Sequence, residues 1–236
     1  MMERLRFVNN QIYHVYNRGV ENRKIFLDED DYFRFIHNLF EFNDTEPALN
    51  LYYKSYEIRS HKIGIERKRG SRKLLVRILA FCLMPNHFHL LLEQRQDSGI
   101  SEFIRKLGIG YAMYFNQKYR RVGGLFQGRF KAVLVNQDTH FIHLPYYIHL
   151  NPLDLVAREW RKGELNDYKK AMDFLENYRW SSFLDYIGKN NFPSVTQREF
   201  LMKFFNGPQE YKKQITEWLK TLNTENIQEI KDIKID

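Results

Sequence analysis

Two mostly apolar runs separated by a short turn are the feature that most restricts how this chain folds. The runs cover residues 74–83 and 87–92, and Met84-Pro85-Asn86 lies between them. Proline and asparagine together favour a tight reversal of the chain. The pattern therefore predicts an antiparallel β-hairpin.

The patterns on either side of this hairpin alternate between strands and helices. Further strands are predicted at 11–16 and 130–135, and helices at 28–42, at 101–119 and from Asp138 or Thr139 to Asn151-Pro152. This order resembles a split ferredoxin-like unit with one extra helix. We therefore expect an α+β fold with a ferredoxin-like antiparallel sheet and packed helices.

Beyond this unit, helical patterns recur at 168–186 and 197–222. We expect a main domain over residues 1–163 and a C-terminal helical extension over 164–236. The segment 43–70 is polar at its edges and is interpreted as a loop or a hairpin insertion.

Composition excludes several classes of protein. Apolar residues make up 43% and aromatic residues 16% of the chain, which is too much for an intrinsically disordered protein. The longest apolar run, 78–84, is far shorter than the roughly 18 residues of a membrane-spanning helix. The first residues lack the pattern of a secretion signal, and the single Cys82 cannot form an internal disulfide. We expect a cytoplasmic protein without a membrane partner.

The charge of the chain favours a nucleic acid as the partner. Lys and Arg number 37 against 29 Asp and Glu, a net charge of +8. Two stretches, 54–77 and 101–131, are rich in cations and also carry tyrosines or phenylalanines. Cations that hold phosphates and rings that stack on bases together suit single-stranded nucleic acid. The alternative on charge alone is a basic protein without such a partner.

His87 and His89 are the first candidate site residues. On a strand, residues two apart point to the same face, so both imidazoles lie side by side while Phe88 turns into the core. Two imidazoles can share a divalent cation, although a hard ion such as magnesium requires additional oxygen ligands. The alternative is that the pair simply lines a polar face.

Tyr147 and Asn151 are the second pair of candidates. They are four residues apart on a predicted helix and therefore lie on one face, one turn from each other. If that face meets the histidine strand, the Asn151 amide oxygen reaches the same ion and the Tyr147 hydroxyl lies beside it. The alternatives are a buried aromatic residue at 147 and a helix stop at Asn151-Pro152.

Five ordered blocks resemble a known family: YHVYNRG, LMPNHFHLLL, LFQGRFK, YYIHLNP and YRWSSF. They resemble the single-tyrosine HUH transposases of the IS200-like type, in particular the REP-associated tyrosine transposases. The resemblance extends over roughly Tyr13 to Ile187. The longer, basic segment 43–77 and the region after Ile187 depart from the compact form of that family.

The resemblance implies an enzyme that cleaves and rejoins single-stranded DNA next to hairpins through a 5′-phosphotyrosine intermediate. It implies Tyr147 as the nucleophile, with Tyr146 as the rival, and His87, His89 and Asn151 as ligands of Mg²⁺ or Mn²⁺. The protein is expected to act as a monomer or a homodimer. The alternatives are a domesticated DNA- or RNA-binding protein that recognises hairpins without turnover, and a replication or conjugation nickase.

Four basic residues are candidates for contact with the DNA backbone. Arg129 and Lys131 alternate around Phe130 and are expected to face the same side of their strand. Arg18 and Arg23, near the end of the first strand, are weaker candidates for the same role. The alternative for each is an exposed, solvated cation.

Overall fold

The computed structural model of the chain describes residues 5–47, 72–136 and 138–221, with the backbone only at 138–140. Most of the predicted insertion 43–70 and the tail after residue 221 lie outside these ranges.

A four-stranded antiparallel sheet forms the centre of the molecule. Its strands are β1 (Ile12–Arg18), β2 (Val76–Met84), β3 (His87–Gln94) and β4 (Lys131–Leu134). Their order is β2-β3-β1-β4, and each neighbouring pair is antiparallel. β2 and β3 form the predicted hairpin, which reverses at Pro85-Asn86. The expectation of a ferredoxin-like α+β sheet is confirmed.

Two helices cover one face of the sheet. They are α1 (Glu29–Glu41) and α2 (Gly99–Lys118), close to their predicted bounds. The Asp28 carboxylate accepts a hydrogen bond of 3.1 Å from the Asp31 amide, so it caps the first turn of α1 as the acidic cluster there suggests. Their apolar sides pack with the sheet residues that point to this face, including Val15, Phe88 and Leu90.

The other face of the sheet is covered by α3 (Asp138–Leu150) and by the C-terminal helices. These are α4 (Tyr168–Asn177), α5 (Phe183–Tyr186), α6 (Glu199–Phe204) and α7 (Pro208–Lys220). One buried apolar cluster joins sheet residues such as Cys82 and Leu91 to side chains of α3 and of all four C-terminal helices. Residues 164–221 therefore share a core with the sheet, while the boundary at residue 163 stays a prediction.

Both helical patterns of the C-terminal region are interrupted, which the sequence analysis did not predict. The pattern over 197–222 is broken between α6 and α7 at Asn206-Gly207-Pro208. Gly207 has a φ of 98°, a conformation that glycine adopts without strain, and Pro208 has no N–H to continue a helix. The chain therefore turns, and α7 starts afresh at Pro208.

Among the described residues, no helix combines the length and the apolar character that crossing a bilayer requires.

A buried histidine connects α3 to the C-terminal region. His149 is fully buried, with Nδ1 2.6 Å from the Tyr211 hydroxyl and Nε2 2.8 Å from Ser182 Oγ. Burial lowers its pKa from 6.5 to about 3, because the imidazolium form would lose its hydration. The neutral ring is therefore the form that the fold favours.

We predict that stability decreases with falling pH partly because of His149. Its pKa is lowered in the folded state, so its contribution is fully present above about pH 6.5 and is lost as the pH falls toward 3. One such group adds a slope of up to about 1.4 kcal/mol per pH unit to the free energy of unfolding. Urea unfolding between pH 7.5 and 4.5 should show a smaller slope for His149→Gln.

The exposed His37 of α1 provides the control variant His37→Gln. The same slope in His149→Gln, in the parent and in this control would contradict the prediction.

Candidate active site

The register of β1 against β3 determines which face of the sheet carries the candidate site. His89 lies opposite Tyr16, and His87 lies opposite Arg18. Residues two apart on a strand share a face, so His14 of β1 lies on the same side as these four residues. Phe88 points to the opposite face and is buried under α1 and α2, as predicted.

The two predicted metal ligands lie close together but in different surroundings. The ring centroids of His87 and His89 are 5.0 Å apart. His87 is half-buried, and its Nδ1 lies 2.7 Å from Asn86 Oδ1. His89 is buried, and its Nδ1 lies 2.9 Å from Nε2 of His14. Within the described part of the chain, Nε2 of His89 has no hydrogen-bond partner.

Both imidazoles are held in the neutral form. Burial lowers the pKa of His87 to about 4. It lowers the pKa of His89 well below the ordinary value, and the neighbouring His87 and His14 add to this effect. A histidine must be neutral to ligate a metal through nitrogen, so the site keeps these rings ready for ligation at neutral pH.

Tyr147 lies against the histidines. α3 packs on the histidine face of the sheet, and Tyr147 is fully buried there. Its ring centroid is 5.9 Å from that of His89 and 6.2 Å from that of His14, both in edge-to-face geometry. The phenol and the histidine pair, which are far apart in the sequence, are therefore neighbours in the fold.

The rival nucleophile Tyr146 faces the other way. Its hydroxyl donates to Gln214 Oε1 at 2.9 Å, and its ring packs against Phe205, Tyr211 and Trp218 of the C-terminal region. Burial also raises its phenol pKa, which disfavours the phenolate. The structure therefore separates the two adjacent tyrosines as their helical phase predicts.

Asn151 follows α3 and is held by hydrogen bonds at both ends of its amide. Its Nδ2 donates to the Tyr147 carbonyl oxygen at 2.7 Å, and its Oδ1 accepts from Arg161 at 2.9 Å. An amide oxygen has two lone pairs, so one remains for a metal. The predicted ligand is therefore next to Tyr147, but it shares its oxygen with a guanidinium.

Arg161 links three residues of this end of α3. Besides Asn151, its guanidinium donates to the Tyr147 hydroxyl at 3.0 Å and to both carboxylate oxygens of Asp154, at 2.6 to 3.0 Å. The indole N–H of Trp160 donates to the same carboxylate at 2.8 Å. These hydrogen bonds fix the guanidinium beside the phenol oxygen.

A cavity of about 590 Å³ opens beside His87. Cations predominate among its charged residues, which are Lys24, Asp154, Arg158 and Arg161. A concave site with cations and a neutral imidazole suits an anionic ligand such as a phosphate.

The four basic residues that are predicted to contact the DNA backbone lie in different parts of the structure. Arg18 lies beside His87 on the histidine face and donates to Gln127, and exposed Lys131 lies 6.0 Å from the ring centroid of Tyr16. Arg23 lies on the loop after β1, 4.0 Å from Glu21. Arg18 and Lys131 thus border the histidine face.

The expectation that Arg129 and Lys131 face the same side is wrong. β4 begins at Lys131, so the alternation of a strand does not extend back to Arg129, and Gly128 turns the chain with a φ of 68°. Arg129 instead lines a second cavity with Phe88 and Arg105, on the side covered by α2.

The residues present suit a divalent metal only in part. The buried Nε2 of His89, which has no partner among the residues that the structure describes, and the neighbouring His87 are suitable nitrogen ligands. Within residues 5–47, 72–136 and 138–221, no three His, Cys, Asp or Glu side chains cluster as a metal site. Further ligands would have to be oxygens, such as that of Asn151, of water or of a bound phosphate.

Sequence reasoning missed His14, Asp154 and Arg161. His14 stands in the block YHVYNRG, two residues before Tyr16, and period-two alternation could have placed it on the site face. Asp154 and Arg161 follow the YYIHLNP block in a region without helical or strand periodicity. No pattern in the sequence indicated that these two residues lie close to Tyr147 in the fold.

Comparisons with known proteins agree with the motifs. Residues 59–151 match the family model described as "Transposase IS200 like". The resemblance that the motifs predict is thus confirmed over a segment that contains His87, His89, Tyr147 and Asn151, and the match supports a transposase role. A comparison with curated proteins gives no match.

Two solved structures are similar over most of their own length. A REP-associated tyrosine transposase bound to a REP hairpin is 14% identical, with 83% of this chain and 90% of that chain covered and a TM-score of 0.47. A protein described as a candidate transposase from Deinococcus radiodurans R1 is 15% identical, with 62% and 95% covered and a TM-score of 0.34. At these TM-scores the two structures add no argument about function.

We predict that Asp154→Asn destabilises the site more than the loss of an ordinary surface ion pair. Asp154 and Arg161 are 22% and 26% exposed, and the change leaves a largely buried guanidinium without its counter-charge. We expect the free energy of unfolding to fall by about 1–3 kcal/mol. Urea-induced unfolding of the parent and the variant measures this decrease in the free energy of unfolding.

The control is Glu217→Gln, which breaks the more exposed pair with Lys220 and should change the free energy of unfolding much less, because solvent screens exposed charges. Equal losses in the two variants would contradict the prediction.

Proposed function

We propose that this chain, whose residues 59–151 match the IS200-like transposase family, cleaves and rejoins single-stranded DNA next to hairpins through a tyrosine. The observation that carries the proposal is the contact between Tyr147 and His89, since a potential nucleophile lies against a potential metal ligand. Both residues lie within the matched segment.

The reaction that we propose is a transesterification. The Tyr147 hydroxyl oxygen forms a bond to the scissile phosphorus, and the bond from phosphorus to the 3′-oxygen of the neighbouring nucleotide breaks. The phenol loses its proton to solvent, and the released 3′-oxygen takes a proton from solvent and becomes a 3′-hydroxyl. The 5′-phosphotyrosine keeps the energy of the broken bond, and the 3′-hydroxyl of another strand can reverse the step without ATP.

His87 and His89 are the residues that would hold a divalent metal, Mg²⁺ or Mn²⁺. When bound, the metal supplies Lewis-acid polarisation of a non-bridging phosphate oxygen. Asn151 is the proposed third ligand, because its amide oxygen has a second lone pair besides the one that accepts from Arg161. Burial supports this role of the histidines, because it keeps both rings neutral.

Four cations are the proposed contacts to the DNA backbone. Arg18 and Lys131 border the histidine face and are best placed to hold the strand that reaches Tyr147. Arg23 and Arg129 lie farther from this face and would hold flanking parts of the DNA. Net charge of +8 supports a polyanionic partner.

We predict a covalent protein–DNA adduct that depends on Tyr147. The protein is incubated with Mn²⁺ and a labelled pool of single-stranded DNA in which a hairpin has a randomised stem and randomised flanks. After denaturation, the parent should carry DNA, which sequencing then identifies. Tyr147→Phe should form no adduct, because the attacking oxygen is missing.

Tyr146→Phe is the matched control, since it removes the adjacent hydroxyl, which contacts Gln214 instead of the histidines. It should form the adduct like the parent. An adduct lost in Tyr146→Phe but retained in Tyr147→Phe would assign the nucleophile to Tyr146. Binding of the DNA pool by the parent without any adduct would favour a hairpin-binding protein without turnover.

We further predict that Mn²⁺ binding requires His89. His89→Gln removes the buried Nε2 nitrogen, so the affinity for Mn²⁺ should fall by about tenfold or more. Electron paramagnetic resonance of free Mn²⁺ measures binding without any DNA. His37→Gln, on the exposed side of α1, should bind like the parent. Unchanged affinity in His89→Gln would contradict histidine ligation.

A further inference from the structure

Arg161 contacts two residues of the candidate site, Tyr147 and Asn151. It lies on the short 3₁₀ helix Arg158–Lys162, after the end of α3. Its Nη1 donates to the Tyr147 hydroxyl at 3.0 Å, and its Nη2 donates to Asn151 Oδ1 at 2.9 Å. The attacking oxygen of the proposed reaction therefore lies in direct contact with a cation.

The position of this guanidinium is determined from several sides. Asp154 accepts hydrogen bonds from Nε and Nη2, and the rings of Trp160 and Tyr147 lie 4.9 and 5.3 Å from the guanidinium carbon. A guanidinium has five N–H donors. The contacts with Asp154, Asn151 and Tyr147 use four of them, and the fifth belongs to Nη1, the nitrogen that holds the Tyr147 oxygen.

The guanidinium is also accessible from the cavity beside His87. Arg161 lines that cavity together with His87 and Asp154, and its side chain is 26% exposed. Tyr147, in contrast, is fully buried. Arg161 therefore contacts both the cavity and the Tyr147 hydroxyl.

We propose that Arg161 is a catalytic residue that holds the Tyr147 hydroxyl before attack and binds the phosphate that Tyr147 carries afterwards. The inference rests on the proposed function, because it concerns the same reaction. Sequence motifs do not indicate it, since Arg161 lies outside the five blocks and outside the segment 59–151.

The chemistry of the step explains why a guanidinium suits this position. Once the phenol oxygen is bonded to phosphorus, the non-bridging oxygens of the phosphate lie next to that oxygen and within reach of Nη1. Arginine stays charged at all relevant pH values and binds phosphate oxygens in a fixed geometry. It therefore stabilises negative charge on the phosphate in the transition state without having to change its own protonation.

The ion pair with Asp154 orients the Arg161 guanidinium and still leaves it able to bind an anion. Asp154 binds the Nε and Nη2 edge of the guanidinium, while Nη1 faces the phenol. The carboxylate thus orients the group and leaves the opposite edge for the anion that forms on Tyr147. A lysine at 161 would supply charge but could not hold the carboxylate and the phenol simultaneously in this geometry.

The test compares Arg161→Gln, Arg161→Lys and Arg161→Ala with the parent. The DNA is one that the randomised pool identifies, at a concentration that saturates each variant, with Mn²⁺. We expect Arg161→Gln to lower the single-turnover rate of adduct formation by about 100-fold, the loss typical of removing one charge-stabilising donor. Its dissociation constant for the DNA should change by less than about threefold, and Arg161→Lys should be intermediate.

Chemical rescue separates catalysis from a structural role. Added guanidinium ion at low millimolar concentration should restore part of the rate to Arg161→Ala but leave Lys162→Gln unaffected. Lys162→Gln is the matched control, since it removes an exposed cation from the same 3₁₀ helix. Strand transfer from a purified adduct to a 3′-hydroxyl strand should also slow, because both directions share one transition state.

Three results would overturn the inference while the proposed function stands. These are an Arg161→Gln rate equal to that of Lys162→Gln, a rate loss that appears only when the DNA is below saturation, and a rate loss that guanidinium does not rescue in Arg161→Ala. If the parent forms no adduct, or forms it independently of Tyr147, the proposed function fails and takes this inference with it. Comparison of the parent with Tyr147→Phe identifies that case first.

Discussion

The pairing of β1 with β3 is the constraint on which the candidate site depends. It places Tyr16 opposite His89 and Arg18 opposite His87 on one face of the sheet. Because side chains alternate along a strand, a slip of one residue in either strand would turn its site residues toward α1 and α2. The apolar side chains between them, such as Val15 and Phe88, would then face α3 instead. Burial of these apolar residues on one side therefore fixes the position of the polar residues on the other.

Periodicity predicted the sheet, and it predicted the site only where the site lies on regular elements. His87 and His89 share a strand, and Tyr147 with Asn151 shares a helix turn, so spacing alone indicated their common faces. Arg161 could not be found in this way, because it reaches Tyr147 from a 3₁₀ helix whose position depends on tertiary contacts. The same reason explains the error at Arg129, which was assigned strand alternation although β4 starts at Lys131. The break at Gly207-Pro208 was also missed, although a glycine followed by a proline is a turn signal that the sequence carries.

Several polar groups of the candidate site are buried, and their hydrogen-bond partners indicate its chemistry. The phenol of Tyr147 and the amide of Asn151 are both bound by Arg161, whereas Nε2 of His89 has no partner within the described residues. An unsatisfied buried nitrogen costs about 1–3 kcal/mol, which a bound metal would recover. His14 matters here, because its contact with Nδ1 of His89 can fix the tautomer that leaves Nε2 as the metal-binding nitrogen.

The C-terminal helices contribute to the site although none of their side chains lines it. Tyr146 and Tyr147 are adjacent, so only the rotation of α3 about its axis determines which of them meets the histidines. Tyr146 is packed between Phe205, Tyr211 and Trp218, and His149, one turn from Tyr146, is bonded to Tyr211 and Ser182. Rotation of α3 by one residue would break these contacts of Tyr146 and His149 and would turn other α3 side chains toward the C-terminal helices. Residues 164–221 therefore hold the helix in the phase that directs Tyr147 toward His89, so this region is part of the machinery that positions the proposed nucleophile.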